Sequence, residues 1–268
     1  MKFLLRNMVR PLYYYIKKPN ERAFAKLYDK WGSYERYKLV EGLIFLKYTF
    51  DVPDTASFLS QFKELFVDEI YHFQCENKSP LIIDCGANIG SSCLYFKSLY
   101  PTAKIIAFEA DKRIATILEK NLKNNNIDDI DVVHRAVWID DNGIEFSTDG
   151  ADGGSIYSKE TTQKVKSIRL KSYLEEEPSI DLLKIDIEGA EYEVLKDCQD
   201  SLGSVERIFV EYHSWNGSPQ KLSEILEIFE KNGFRYYIES LTHRKHPLDN
   251  YGAEENMDLQ LNIFGVRR

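Results

Sequence analysis

From residue 80 onward, short apolar runs keep company with helix-length amphipathic stretches, and that texture restricts the fold more than any other feature. The runs lie at 81–83, 104–108, 131–137, 182–187 and 207–210. The 3.6-residue patterns lie at 91–99, 114–124, 190–196 and 222–231. Strands and helices of these lengths predict βαβ units with right-handed crossovers, hence an α/β fold around a mostly parallel sheet. The last two apolar runs, 234–238 and 259–266, have no helix-length pattern between them and predict an antiparallel C-terminal strand pair. Short β-prone runs at 143–146 and 164–170 flank a stretch rich in Gly, Asp and Ser, 148–155, which is expected as a surface loop beside the site. Residues 1–78 read as a mostly helical N-terminal extension or cap. There Phe58, Leu59, Phe62, Leu65 and Phe66 fall near helical spacing, and Asp54 or Thr55 is the expected N-cap. Residues 79–268 form the predicted ligand-binding domain.

The first strand runs into Asp84-Cys85-Gly86-Ala87-Asn88-Ile89-Gly90 and then a helical pattern. Glycines at such a turn let the backbone approach a ligand closely, and the following helix offers free N–H groups. Asp84 ends the strand. A carboxylate there repels a pyrophosphate but suits the ammonium of a sulfonium nucleoside such as S-adenosylmethionine. Glu109, 25 residues further on, ends the second strand, where an acid can accept both ribose hydroxyls. After the third strand, Ala136 is expected beside the adenine. The expected donor contacts are therefore Asp84, Gly86, Asn88, Gly90, Glu109 and Ala136.

Ligands in open α/β sheets sit at the carboxyl ends of the strands. The fourth strand leads into Lys184-Ile185-Asp186-Ile187-Glu188-Gly189-Ala190-Glu191 and the fifth into Glu211-Tyr212-His213. Alternation along a strand would put Asp186 with Glu188, and Glu211 with His213, on shared faces. Such a cluster suits transfer to a hydroxyl, which must be aligned and lose its proton. Asp186 or His213 is the expected base, with Glu188 and Glu211 orienting the acceptor. The same ligand types could instead hold a divalent cation, but the spacing matches no recognised metal signature and no metal is assigned.

Net charge is −8, which argues against a nucleic-acid backbone as the main partner. The four cysteines form no C-x-x-C pair and read as small buried hydrophobes of a reducing, cytoplasmic compartment. No apolar run reaches membrane-spanning length. The first 20 residues carry Lys2, Arg6, Arg10, Lys17 and Lys18 among aromatic side chains, with no acid before Glu21. A segment of that kind can make weak peripheral contact with anionic lipid, although a packed or frayed arm is the preferred reading.

The blocks IIDCGANIGSS (82–92), IIAFEAD (105–111), AVW (136–138), LLKIDIEGAEYEVL (182–195) and VEYHS (210–214) together resemble the FkbM-type methyltransferases. That resemblance covers roughly 80–215 and implies a class I, Rossmann-like methyltransferase fold. It also implies S-adenosylmethionine as donor and O-methylation of a sugar, glycan or similar hydroxylated small molecule. Asn88 stands where the wider G-x-G pattern has its second glycine. Two rival readings remain at this level: an NAD(P)-dependent Rossmann oxidoreductase, suggested by Tyr192-x-x-x-Lys196, and a non-catalytic nucleoside-binding module.

Overall fold

A computed structural model describes residues 18–147, 162–241, 245–246, 248–249 and 257–267. The expected loop at 148–155 and the basic segment before Lys18 lie outside, apart from Lys18 itself.

The chain begins with α1 (Pro19–Trp31), a hairpin of β1 (Val40–Phe45) and β2 (Tyr48–Val52), and α2 (Thr55–Phe62). A five-residue π-helical turn, Lys63–Val67, continues α2. Asp54 caps α2, its carboxylate accepting from the Ser57 N–H, as the sequence predicts. The expectation of a mostly helical leading segment needs correcting. The hairpin was missed because its exposed face carries Ile44 and Leu46, which blur the polar–apolar alternation of a half-buried strand.

The central sheet is assembled from β3 (Leu81–Cys85), β4 (Lys104–Phe108), β5 (Ile130–Val133), β10 (Leu182–Ile185), β11 (Arg207–Trp215), β12 (Phe234–Ser240) and β13 (Met257–Arg267). Its seven strands run in the order β12-β13-β11-β10-β3-β4-β5. The five strands β11, β10, β3, β4 and β5 are parallel, and β13 pairs antiparallel with both β11 and β12. The predicted antiparallel C-terminal pair is therefore present, with β13 inserted between β12 and β11.

Both faces of the parallel strands are buried, so residues along them alternate between two cores. Ile82, Ile105 and Ala107 join one cluster with α3 (Ser91–Leu99), α4 (Lys112–Asn124) and the leading segment. Ile83, Phe108 and Ile185 join the other with α5 (Leu170–Glu176), α6 (Glu191–Cys198) and α7 (Leu222–Lys231). Phe45 is a hub of the first cluster, its ring within 6.0 Å of those of Tyr48, Phe50, Phe58, Phe62 and Phe66. The leading segment and the sheet thus share one apolar core. Around the rim, β6 (Ala136–Trp138) pairs with β9 (Ser167–Arg169), and β7 (Ile144–Ser147) with β8 (Thr162–Val165).

From β3 the chain winds outward through β4 and β5, then returns to place β10 and β11 on the other side. The winding reverses between β3 and β10, and a crevice at their carboxyl ends is the usual result. Among the described residues no helix is long and apolar enough to cross a membrane.

Candidate active site

The crevice is real: a cavity opens over the ends of β3, β4 and β10, lined among others by Gly86, Asn88, Glu109, Ala136, Asp186 and Glu188. Each wall follows from local sequence. After β3 the chain turns at Gly86, whose φ is +86°. A Cβ there would lie 1.8 Å from the Asp186 carbonyl oxygen, so only glycine fits. The turn is tied to the neighbouring strand ends, with Gly86 and Ala87 N–H donating to the Phe108 carbonyl and Asp186 N–H to that of Cys85. Asn88 has φ +49°. Asparagine is among the few non-glycine residues that tolerate this region, which explains its standing in for the second glycine. Its side-chain oxygen accepts the Ile89 N–H at 2.7 Å.

Glu109 follows β4 and is held by two backbone donors, Asn88 N–H at 2.9 Å and Asp111 N–H at 2.8 Å. Burial pushes its carboxyl up to about 7, against the opposing pull of those two hydrogen bonds. The hydroxyl of Ser91, at the start of α3, is buried on the cavity wall and has no partner among the described residues. An uncommitted buried hydroxyl beside a carboxylate and a glycine turn fits a polar nucleoside.

Two expected donor residues stand behind this wall. Gly90, in a left-handed conformation, caps α3 and would carry its Cβ against Leu118. Asp84 is fully buried beneath the turn. It accepts from the Ser92 hydroxyl at 2.5 Å and lies 3.2 Å from Lys184 Nζ. Register explains the pair, because Asp84 and Lys184 are direct partners across β3 and β10. Lys184 also donates to the Gly86 carbonyl at 2.6 Å and reaches Asp186 at 3.3 Å. Burial alone would lower its pKa, but Asp84 and Asp186 reverse that and keep it charged. The carboxylate read as an ammonium partner is therefore neutralised from within.

The acid cluster does assemble, by a route that differs in part from the one expected. β10 ends at Ile185, so alternation does not carry through to Glu188. A tight turn brings Glu188 round instead, with φ +57° at Glu188 and +105° at Gly189. β11 persists through Trp215, so Glu211 and His213 do share a face. Asp186, Glu188 and Glu211 line the cavity, while His213 is buried just behind it. His213 Nδ1 lies 3.0 Å from Glu191, and its Nε2 lies 3.5 Å from Glu211 and 3.7 Å from Glu188. Burial alone would strip its proton. Glu188 and Glu191 outweigh that and lift it well above the ordinary imidazole range. Glu211 would rise through burial, but bonds from His213 and Gln260 hold it below its usual value. Asp186 is pushed up to about 6, chiefly by burial, with Lys184 opposing and Glu211 reinforcing.

Asp186, Glu211 and His213 each present a ligand atom within 4.8 Å of the others, close enough to share a cation. A cation there would have to displace the His213 proton, since a protonated imidazole has no lone pair to give.

Three contributions were not anticipated. Glu191, fully buried, accepts the Gly189 N–H at 2.9 Å and fixes which ring nitrogen of His213 faces inward. At the head of α6 an acid is also favoured by the helix dipole, which hides this role in the sequence. Glu64 and Gln61, from α2 and the π-helical turn, also line the cavity, although the leading segment showed no concentrated chemistry. Burial followed by Glu211 pushes Glu64 up to about 7. A charged residue amid Leu59, Phe62, Leu65 and Phe66 was the available signal.

Similarity to known proteins extends over more than half of the chain. Residues 84–236 match the model of the methyltransferase FkbM domain. Methyltransferase 1 of Beauveria bassiana is 26% identical over 204 residues, covering 66% of this chain and 81% of its own. The 2-O-methyltransferase NoeI of Sinorhizobium fredii is 28% identical over 159 residues, covering 51% and 65%. Among solved structures, the FkbM methyltransferase of Methylobacillus flagellatus aligns with TM-score 0.44 and 16% identity, over 91% of this chain and 58% of that one. The AdoMet complex of TYW2 from M. jannaschii aligns with TM-score 0.48 and 12% identity, over 88% and 89%. With more than half its length matched to that domain, the chain belongs to the FkbM methyltransferase family, on a class I fold that uses S-adenosylmethionine.

Proposed function

We propose that this methyltransferase acts on oxygen, at a hydroxyl of a sugar, glycan or glycan-like small molecule, with Asp186 as the general base. The observation that carries the reading is the position of Asp186. Its carboxylate lines the cavity one residue past β10, against the glycine turn, with a pKa near 6. A base poised there is ionised at neutral pH and still basic enough to take a hydroxyl proton as the oxygen attacks.

S-adenosylmethionine, when bound, supplies an electrophilic methyl group on sulfur. Glu109 would accept the ribose hydroxyls, and Gly86 and Asn88 would let the backbone close on the nucleoside beside Ala136. Asp84 keeps Lys184 and the first turn of α3 in place rather than touching the donor. Glu188 and Glu211 would accept hydrogens from neighbouring acceptor hydroxyls. His213 holds its proton and orients those two carboxylates, which leaves Asp186 to move the reacting one. Residues 1–78 would serve as the cap, since Gln61 and Glu64 close the acceptor side. Four carboxylates and an amide facing one space suit a neutral, hydroxyl-rich acceptor. The name of NoeI, a 2-O-methyltransferase, is consistent with oxygen as the target. The buried free thiols Cys85, Cys93 and Cys198 are consistent with a cytoplasmic setting.

The test is incubation with isotope-labelled donor and extracted glycans and glycolipids, followed by mass spectrometry. Base-stable label on a sugar hydroxyl is the expected result, and label on nitrogen or carbon would overturn it. Glu109→Ala is expected to weaken donor binding by at least about tenfold in calorimetry. Unchanged affinity would remove the ribose assignment.

A further inference from the structure

We propose that the groove between α1 and the β1–β2 hairpin is the surface by which this protein docks on an anionic membrane. The groove lies apart from the methyl-transfer cavity and shares no lining residue with it. One wall is basic: Arg22, Lys26 and Lys30 recur at intervals of four along α1 and all line it. The other wall is the hairpin, where Val40, Ile44 and Leu46 line the same groove. Ile44 is 72% exposed. Its one acid, Glu41, is paired with Lys120 at 3.2 Å.

Both features are concentrated rather than scattered. Residues 18–50 hold seven Lys and Arg against four Asp and Glu, while the whole chain holds 35 against 43. Residues 1–17 add four more basic residues and no acid to the same end. Among the described residues, six of the eleven large exposed apolar side chains lie between Tyr28 and Leu46. A monomer far from charge balance gains nothing by gathering its cations beside exposed Ile and Leu unless something anionic and apolar covers them.

An anionic bilayer meets both demands at once, because its headgroups pair with the lysines while aliphatic side chains enter the interface. A nucleic acid would meet the second only in part, since Trp31 and the exposed Tyr28, Tyr34 and Tyr37 could stack on bases while Ile44 and Leu46 offer neither a hydrogen bond nor a stacking face. A second copy presenting the same groove would set like charge against like.

The experiment is flotation of the full-length protein with phosphatidylcholine vesicles, with and without phosphatidylserine, at low and high salt. Flotation only with phosphatidylserine, lost at high salt, is expected. The double variant Lys26→Glu/Lys30→Glu and the single variant Ile44→Asp should each reduce vesicle binding by about tenfold or more. Both should keep wild-type affinity for S-adenosylmethionine in calorimetry, which shows that they fold. Failure of the wild type to float, or flotation on neutral vesicles alone, would overturn the proposal. So would loss of binding in the lysine variant with full retention in Ile44→Asp, the pattern of a purely polyanionic ligand such as RNA. Donor binding is untouched by any of these results, so the proposal stands or falls separately from the assignment of the reaction.

Discussion

At the scale of single residues, the proposed mechanism depends on neighbouring carboxylates being in different states of ionisation. Asp186 at about 6 titrates in the working range, whereas His213 stays charged and Glu211 stays ionised. The rate of methyl transfer should therefore fall as pH drops through about 6, as Asp186 takes up the proton that disables it. The groups around it that modulate this are Lys184, Glu211, His213 and Glu191. Asp186→Asn should cost at least about a hundredfold in kcat, abolish that limb of the pH profile and leave donor affinity intact. Retention of wild-type turnover would remove Asp186 as base. Glu191, 3.0 Å from His213 Nδ1, would act as a positioning residue through that ring. Glu191→Gln keeps an acceptor for the ring N–H but deletes a charge, so the His213 imidazole should titrate at lower pH by NMR. Turnover should fall by roughly tenfold or more through misplacement of Glu188 and Glu211, with donor affinity unchanged. A purely structural role would lower stability without moving the histidine titration.

At the scale of elements, the parts whose period is unmixed were legible and the parts whose period is mixed were not. Leu222–Lys231 has the boundaries that its apolar spacing gives, and the expected 114–124 became Lys112–Asn124 because Asp111 caps it from outside the periodic stretch. The run 131–137 proved to be two strands, Ile130–Val133 and Ala136–Trp138, because the chain leaves the central sheet at His134 and Arg135, and Arg135 turns to the cavity. Of the site, the carboxylates at strand ends were readable because strand ends announce themselves. Glu64 was not, since its position depends on a π-helical turn that shifts the face of the helix by one residue. The hairpin was missed, yet it supports the cap through Phe45. Phe45→Ala would leave a void among five rings and should destabilise the protein by about 3–5 kcal/mol in denaturant unfolding. A loss under 1 kcal/mol would mean that the cap core is not cooperative with the sheet.

At the scale of the whole molecule, the burial of acids in one cavity should be visible in stability itself. Glu64 and Glu109 at about 7 and Asp186 at about 6 all lie above their ordinary values, so the folded state binds protons that the unfolded state has released. Stability should therefore decline as pH rises from about 5 to 7.5, and the raised His213 adds a contribution of the same sign. Scanning calorimetry of the donor-free protein should give a lower Tm at pH 7.5 than at pH 5.5, and the reverse order would contradict the cavity electrostatics. The glycine turn after β3 and the carboxylate proposed as base are fastened to each other through Asp186 N–H and the Cys85 carbonyl, with the Gly86 backbone pressed against Asp186. On the proposed assignment, the span over which a methyl group must travel is set by sheet spacing, which sequence drift scarcely alters. The rim built by Gln61 and Glu64 is carried instead by α2 and its π-helical turn. Descendants of such a protein are free to exchange one acceptor for another by rewriting that rim alone, while the stroke of the reaction keeps its length.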